Sequence, residues 1–320
     1  DSYTFRTNEY CLGGFVTIGP PGSAPASNGL STILTILEPS SAPNFAVLES
    51  NLAALRQAGI QVCYQRYPLD AGDRQAQVGV NARSQILSSA LSNPDSAYVL
   101  AARGGYGASD LLGYLDWSAL SSLPETILIG FSDISALQVA LHTRLGWPAI
   151  HGPMPGSSLW TNGPDVDCLV RLLSSSRPWN STISVSQFGS SSTGATVQGT
   201  LIGGCLSVLS ALIGTPYFPD TLRGHILFLE DTHESAERVL RFWNQWLDCG
   251  LVTDLAAVVV GRFTDLSGQH DEEWLVTRLA ERCTVPLFRS PDFGHISPNY
   301  PLMIGADARI NDGVLEWRLD

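Results

Sequence analysis

Short apolar runs rich in β-branched residues alternate with helix-periodic segments through the first half of the chain, and this alternation constrains the fold most. The runs are "FVTIG" (15–19), "IQVCY" (60–64), "AYVLAA" (97–102) and "TILIG" (126–130). Between them, "FAVLESNLAALRQAG" (45–59) and "NARSQILSSALS" (81–92) carry apolar residues at helical spacing. Strands that alternate with helices build βαβ units and a parallel sheet covered by helices. The expected fold class is therefore α/β, with an N-terminal parallel-sheet domain over 1–152. From about residue 153 the periodic pattern gives way to Pro, Gly, Ser and Asn, as in "SSSRPWNSTISVSQFGSSSTG", and 153–193 reads as a connection. A smaller, β-rich α+β domain is expected over 194–320. Its strands are "ATVQGTLIGG", "HILFLE", "AAVVVGRF" and "PLMIGADARINDGVLEWRL", the last a hairpin turning at Asn311-Asp312-Gly313. Helices fall at 234–247 and 271–282.

Composition removes several kinds of chemistry. The formal charge of −12 argues against nucleic acid or an anionic membrane as the main partner. All 18 basic residues are Arg. Without a lysine there is no Schiff base, no Walker lysine and no Ser-Lys dyad. The 6 cysteines are dispersed without a C-x-x-C pair and the 6 histidines without HExxH, so neither a metal nor a cofactor is expected. No apolar run approaches the roughly 20 residues that span a bilayer. "DSYTFRTNEYCLGG" has no apolar signal core, and the expectation is a cytoplasmic protein with no membrane partner.

Ligands of such sheets bind at the carboxyl ends of the strands, and four stretches there have chemical potential. Gly130-Phe131-Ser132-Asp133-Ile134 is a strand-to-helix turn close to the G-x-S-x-G nucleophile elbow, with Ile134 in place of the second glycine. "AARGGYGASDLL" (101–112) follows a strand, and its glycines let backbone N–H groups approach a ligand. "HILFLEDTHE" ends a strand at Glu230 and Asp231, and "SPDFGHISPNYPL" sets His295 in a loop rich in Pro, Gly and Asn. Each has an ordinary reading when taken alone: a helix cap for Ser132, a tight turn for the glycines, a rim carboxylate for Glu230 and a surface histidine for His295.

Together the motifs say more. "ARGGYG", "GFSDISAL", "HGPM", "GGCLSVLSALIGTPYFPD", "ILFLED", "VVVGRF" and "FGHISPN" occur in one order along nearly the whole chain, and in this the chain resembles the LD-carboxypeptidase family of serine peptidases. The resemblance implies a Ser-His-Glu triad made of Ser132, His295 and Glu230, with Ser132 from the first domain and the other two from the second. It also implies an oxyanion hole from the backbone N–H groups of Gly105 and Asp133. Arg103 and Gly104 are the candidate substrate-binding residues, Arg103 for a terminal carboxylate. The implied activity is release of terminal D-Ala from peptidoglycan tetrapeptide stems during murein recycling. Cys205 departs from the pattern, standing where the family commonly has Asn. The family also includes microcin C immunity peptidases, so a peptidyl-nucleotide is the alternative substrate to a muropeptide. An aromatic platform would mark that alternative, and Trp160 and Trp179 are the residues to place. A nonenzymatic ligand-binding α/β protein is the alternative of another class, and a homodimer is a candidate assembly.

Overall fold

The computed structural model describes residues 33–68, 72–174, 178–189 and 196–320. The run 15–19 lies outside them. The first described strand is β1 (Ile33–Leu37), an "ILTIL" run that the periodicity reading passed over. Helix α1 (Phe45–Gln57) leads to β2 (Gln61–Gln65), α2 (Gln77–Leu91) to β3 (Tyr98–Ala101), and α3 (Trp117–Leu120) to β4 (Ile127–Gly130). Helix α4 (Ser135–Leu145) then leads to β5 (Ala149–His151). These five strands are parallel, in the order β2-β1-β3-β4-β5. Local chemistry fixes the helices. In α1, the Asn44 side chain accepts from the N–H groups of Ala46 and Val47, and Leu48, Leu52 and Leu55 form the buried stripe.

The stretch expected as a connection is structured. It holds α5 (Pro164–Ser174) and two strands, β6 (Trp179–Ser184) and β7 (Ser186–Phe188). After it, β8 (Val197–Cys205), β9 (His225–Thr232), β10 (Ala257–Thr264) and β11 (Leu287–Gly294) run parallel, joined by α6 (Leu206–Ser210), α7 (Ala236–Asp248) and α8 (Glu272–Arg282). The βαβ logic thus continues into the second half. Antiparallel strands flank this centre: β13 (Asp307–Asn311) pairs with β8 and turns into β14 (Val314–Leu319) through Asp312 and Gly313, both at positive φ. Strand β14 pairs with β6, and β7 with β11, so β6 and β7 lie at opposite edges of one eight-stranded sheet. Only Val185 separates them in sequence. The sheet therefore curls until its edges meet, and the seam is sealed by Ser290 Oγ donating to Ser184 O at 2.7 Å and Ser184 N donating to Asp292 Oδ2 at 2.7 Å.

The two halves are tied together. Strand β12 (Leu302–Ile304) returns from the second half to pair antiparallel with β5. Cys205 N donates to Ser135 Oγ at 3.1 Å, linking the end of β8 to the start of α4. The carboxyl ends of β4, β9 and β11 consequently converge.

Candidate active site

Strand β4 ends at Gly130, and the chain turns sharply into α4 through Ser132, whose φ is +64°. Serine rarely adopts this left-handed conformation, which costs about 1–3 kcal/mol and persists where the surroundings enforce it. The missing elbow glycine has a physical account. A Cβ on Gly130 would lie 3.0 Å from Ile134 Cγ2, so the bare Gly130 makes the room that the Ile134 side chain fills.

The glycine loop after β3 lies directly against this turn. A Cβ on Gly104 would stand 2.8 Å from Ser132 Cβ and 3.0 Å from Oγ, so only glycine permits the approach. Gly105 has φ +121°, and a Cβ there would meet the Ser41 hydroxyl. Asp133 is buried and holds the loops in place: its Oδ2 accepts from Ser40 Oγ at 2.5 Å and from Ala108 N at 2.8 Å. Burial pushes the Asp133 carboxyl up, against the effect of those two bonds. Ser41 Oγ accepts from Tyr106 N at 3.1 Å. Ser40 and Ser41 went unnoticed in the sequence, and the signal that marks them is the "PSS" loop after the overlooked β1. Arg103 is exposed, and its guanidinium donates to Ala42 O at 3.1 Å on the rim beside Gly104.

From the other half, His295 follows β11, and its loop is pinned by Gly294 N donating to Asn299 Oδ1 at 3.1 Å. His295 Nδ1 lies 2.6 Å from Glu230 Oε2, with the carboxylate fully buried and the imidazole side chain 11 % exposed. The Phe131 ring, adjacent to Ser132, packs edge-on against the His295 ring at 4.9 Å between centroids. Burial works against both charges of the pair, but their mutual attraction outweighs it. The imidazole is raised above its ordinary 6.5, and the Glu230 carboxyl is lowered below 4.5. The proton between them belongs on Nδ1, which leaves Nε2 as the basic nitrogen.

The neighbouring Asp231 turns the other way along β9, as alternation in a strand requires. It accepts from Ser207 N, Ser207 Oγ and Cys205 Sγ at 2.7, 3.1 and 3.3 Å. Burial, followed by the charge of Glu230, pushes it up to about 6. Burial also raises the Cys205 thiol far above its ordinary range, so Cys205 is a hydrogen-bond donor to Asp231 and no nucleophile. Trp160 lines a small cavity with Phe131, Met154, Asp165 and Asn299. Trp179 is buried against Tyr98 and lines a second cavity with Cys168, Arg171 and Tyr300.

A hydroxyl on a strained turn, a buried imidazole–carboxylate pair packed on the neighbouring Phe131 and a glycine loop laid against the turn form an arrangement suited to acyl transfer. The family models for the LD-carboxypeptidase N-terminal and C-terminal domains match residues 34–152 and 198–310. The murein tetrapeptide carboxypeptidase of Pseudomonas aeruginosa is 33% identical over 294 residues, covering 89% of this chain and 94% of that protein. The microcin C7 self-immunity protein MccF of Escherichia coli is 23% identical over 262 residues, covering 72% of this chain and 76% of that one. The crystal structure of muramoyltetrapeptide carboxypeptidase from Oxalobacter formigenes superimposes with a TM-score of 0.75 at 25% identity, over 90% of this chain and 98% of that one. With both domains matched and a one-third-identical relative aligned along most of its length, the chain belongs to the LD-carboxypeptidase family.

Proposed function

We propose that this protein is a serine-type LD-carboxypeptidase that releases terminal D-Ala from peptidoglycan tetrapeptide stems through Ser132, His295 and Glu230. The observation that carries the reading is the buried 2.6 Å His295–Glu230 bond, its imidazole packed on Phe131, the residue that precedes a serine held at positive φ. Ser132 Oγ attacks the carbonyl that precedes D-Ala while His295 Nε2 takes its proton. The N–H groups of Gly105 and Asp133 hold the oxyanion, each donor of this kind being worth roughly 3–4 kcal/mol. His295 then protonates the leaving amine, D-Ala departs, and water attacks the tripeptidyl ester of Ser132 with His295 again as base. Glu230 remains ionised throughout, fixing the ring and stabilising the imidazolium. Arg103, beside Gly104 on the rim, is the candidate for the terminal carboxylate. In this reading the substrate is a recycled stem peptide, and the protein acts in the cytoplasm.

The base must be neutral to act, and its protonated form is favoured by Glu230. Activity is therefore lost as pH falls through a midpoint that lies above that of an ordinary imidazole. A plot of kcat/KM against pH is expected to rise with an acid-limb midpoint above 6.5. A midpoint well below that value would separate His295 from the base.

Substrate choice is tested with three peptides. L-Ala-D-Glu-diaminopimelate-D-Ala should lose only its final residue, the same peptide ending in L-Ala should be cut far more slowly, and the C-terminal amide more slowly still. The amide removes the terminal charge that an exopeptidase must recognise, whereas the L-isomer only misplaces one methyl group. Equal kcat/KM for all three would contradict LD specificity. The second reading is a peptidyl-nucleotide substrate, favoured by the position of Trp160 beside Phe131. Preferential cleavage of an aminoacyl sulfamoyl nucleoside over all three peptides would decide for it.

A further inference from the structure

His151 ends β5 in the "HGPM" motif and is wholly buried, yet neither ring nitrogen has a hydrogen-bond partner among the described residues. Its ring lies edge-on to Phe131, Phe228 and Phe293, at 5.9, 5.5 and 6.2 Å between centroids. Each of these phenyl rings comes from a strand end that carries a residue of the proposed triad. Phe131 immediately precedes Ser132, Phe228 lies two residues before Glu230 on the same face of β9, and Phe293 lies two residues before His295. A phenylalanine would fill this cage without burying two unpaired nitrogens, so the imidazole calls for an explanation.

A second orphan supplies one. Glu230 gives Oε2 to His295, while its buried Oε1 has no partner among the described residues. His151 and Glu230 meet around Phe228: the His151 ring packs on it at 5.5 Å, and Glu230 lies two residues further along the same face of β9. Burial pushes His151 down to about 4, so near neutral pH the ring is uncharged and keeps one N–H. An unpaired donor and an unpaired carboxylate oxygen thus occupy the same enclosed region.

We propose that His151 is a positioning residue whose ring N–H donates, across one buried water, to Glu230 Oε1. The inference rests on the reading of Ser132, His295 and Glu230 as a triad. A buried water needs at least two polar partners, and these two atoms are a donor and an acceptor without others. The second donor takes up part of the carboxylate charge that otherwise bears wholly on His295. It thereby keeps His295 less basic. The charged groups that face His151 are Glu230 from β9 and His295 after β11; its register partners on β4 and β12, Gly130 and Leu302, are uncharged.

The test is side-chain ¹⁵N NMR titration of the full chain, set beside kcat/KM against pH, for wild type, His151→Phe and His151→Gln. His151→Phe should fill the cage and raise the His295 midpoint by roughly half to one pH unit. The acid limb of kcat/KM should move with it, and the high-pH plateau should stay within a few-fold of wild type. His151→Gln keeps an N–H donor and should restore most of the shift. A folded His151→Phe with an unmoved His295 midpoint would overturn the inference. So would a uniform loss of activity at every pH, which is the mark of packing alone. Should His151→Phe fail to fold, the wild-type spectrum decides: a cross-relaxation contact between the His151 ring N–H and a long-lived buried water supports the bridge, and its absence overturns it. Turnover retained by Ser132→Ala would overturn the triad reading itself, whereas an unmoved midpoint beside an inert Ser132→Ala overturns only the role of His151.

Discussion

Ser132→Ala and His295→Ala are each expected to abolish release of D-Ala, with kcat falling on the order of 10⁴- to 10⁶-fold and the fold intact. The alanine hydroxyl deletion removes the attacking atom and leaves the turn backbone in place. The histidine deletion leaves a hydroxyl that nothing deprotonates, because Asp133, the nearest carboxylate in sequence, is occupied by Ser40 Oγ and Ala108 N. The double variant should be no worse than either single one, since members of such a unit fail together. Thermal melting and steady-state kinetics on the tetrapeptide check this. More than a tenth of wild-type kcat in either variant would remove that residue from the chemistry.

Glu230→Gln should cost on the order of 10⁴-fold in kcat, as loss of the orienting carboxylate does in a comparable triad. The amide is nearly isosteric and can still contact His295. However, its NH₂ group opposes the Nδ1–H tautomer that leaves Nε2 basic, and it offers no charge to the imidazolium. Asp231→Asn is the paired control. Its side chain serves Ser207 and Cys205 at the start of α6, so turnover should fall less than about tenfold. A silent Glu230→Gln beside an inert Asp231→Asn would reverse the two roles.

The parallel sheet of the first half and the βαβ order were legible because hydrophobic period and length separate strands from helices there. The barrel-like closure of the second sheet was not. Ile183 and Val185 alternate with polar residues as an edge strand does, but Ser-rich flanks mask the pattern, and the partners on β14 and β11 lie about a hundred residues away or more. Similarly, "ILTIL" at 33–37 is a five-residue run without an obvious helix before it, and its loop residues Ser40 and Ser41 were missed with it.

The candidate site divides the same way. Ser132 stands out locally, at a strand-to-helix turn. Glu230 and His295 are 65 residues apart, and no local property pairs them; only the order of long motifs does. The orphaned nitrogens of His151, caged where the two sheets meet, and the loop pin made by Asp133, whose partner Ser40 is 93 residues away, are tertiary facts. Cys205 is a case where the residue type misleads: the thiol donates to Asp231 and its basicity is set by burial, so its chemistry is that of a small buried donor.

The central claim is that Ser132 is a nucleophile activated by His295, and covalent capture tests it most directly. Wild-type protein treated with a fluorophosphonate at a pH above the His295 midpoint, then measured by intact mass and peptide mapping, should carry a single adduct on Ser132. Ser132→Ala should carry none, and His295→Ala should label far more slowly. An adduct mapped to any other residue, or labelling of Ser132 at an unchanged rate in His295→Ala, would contradict the account.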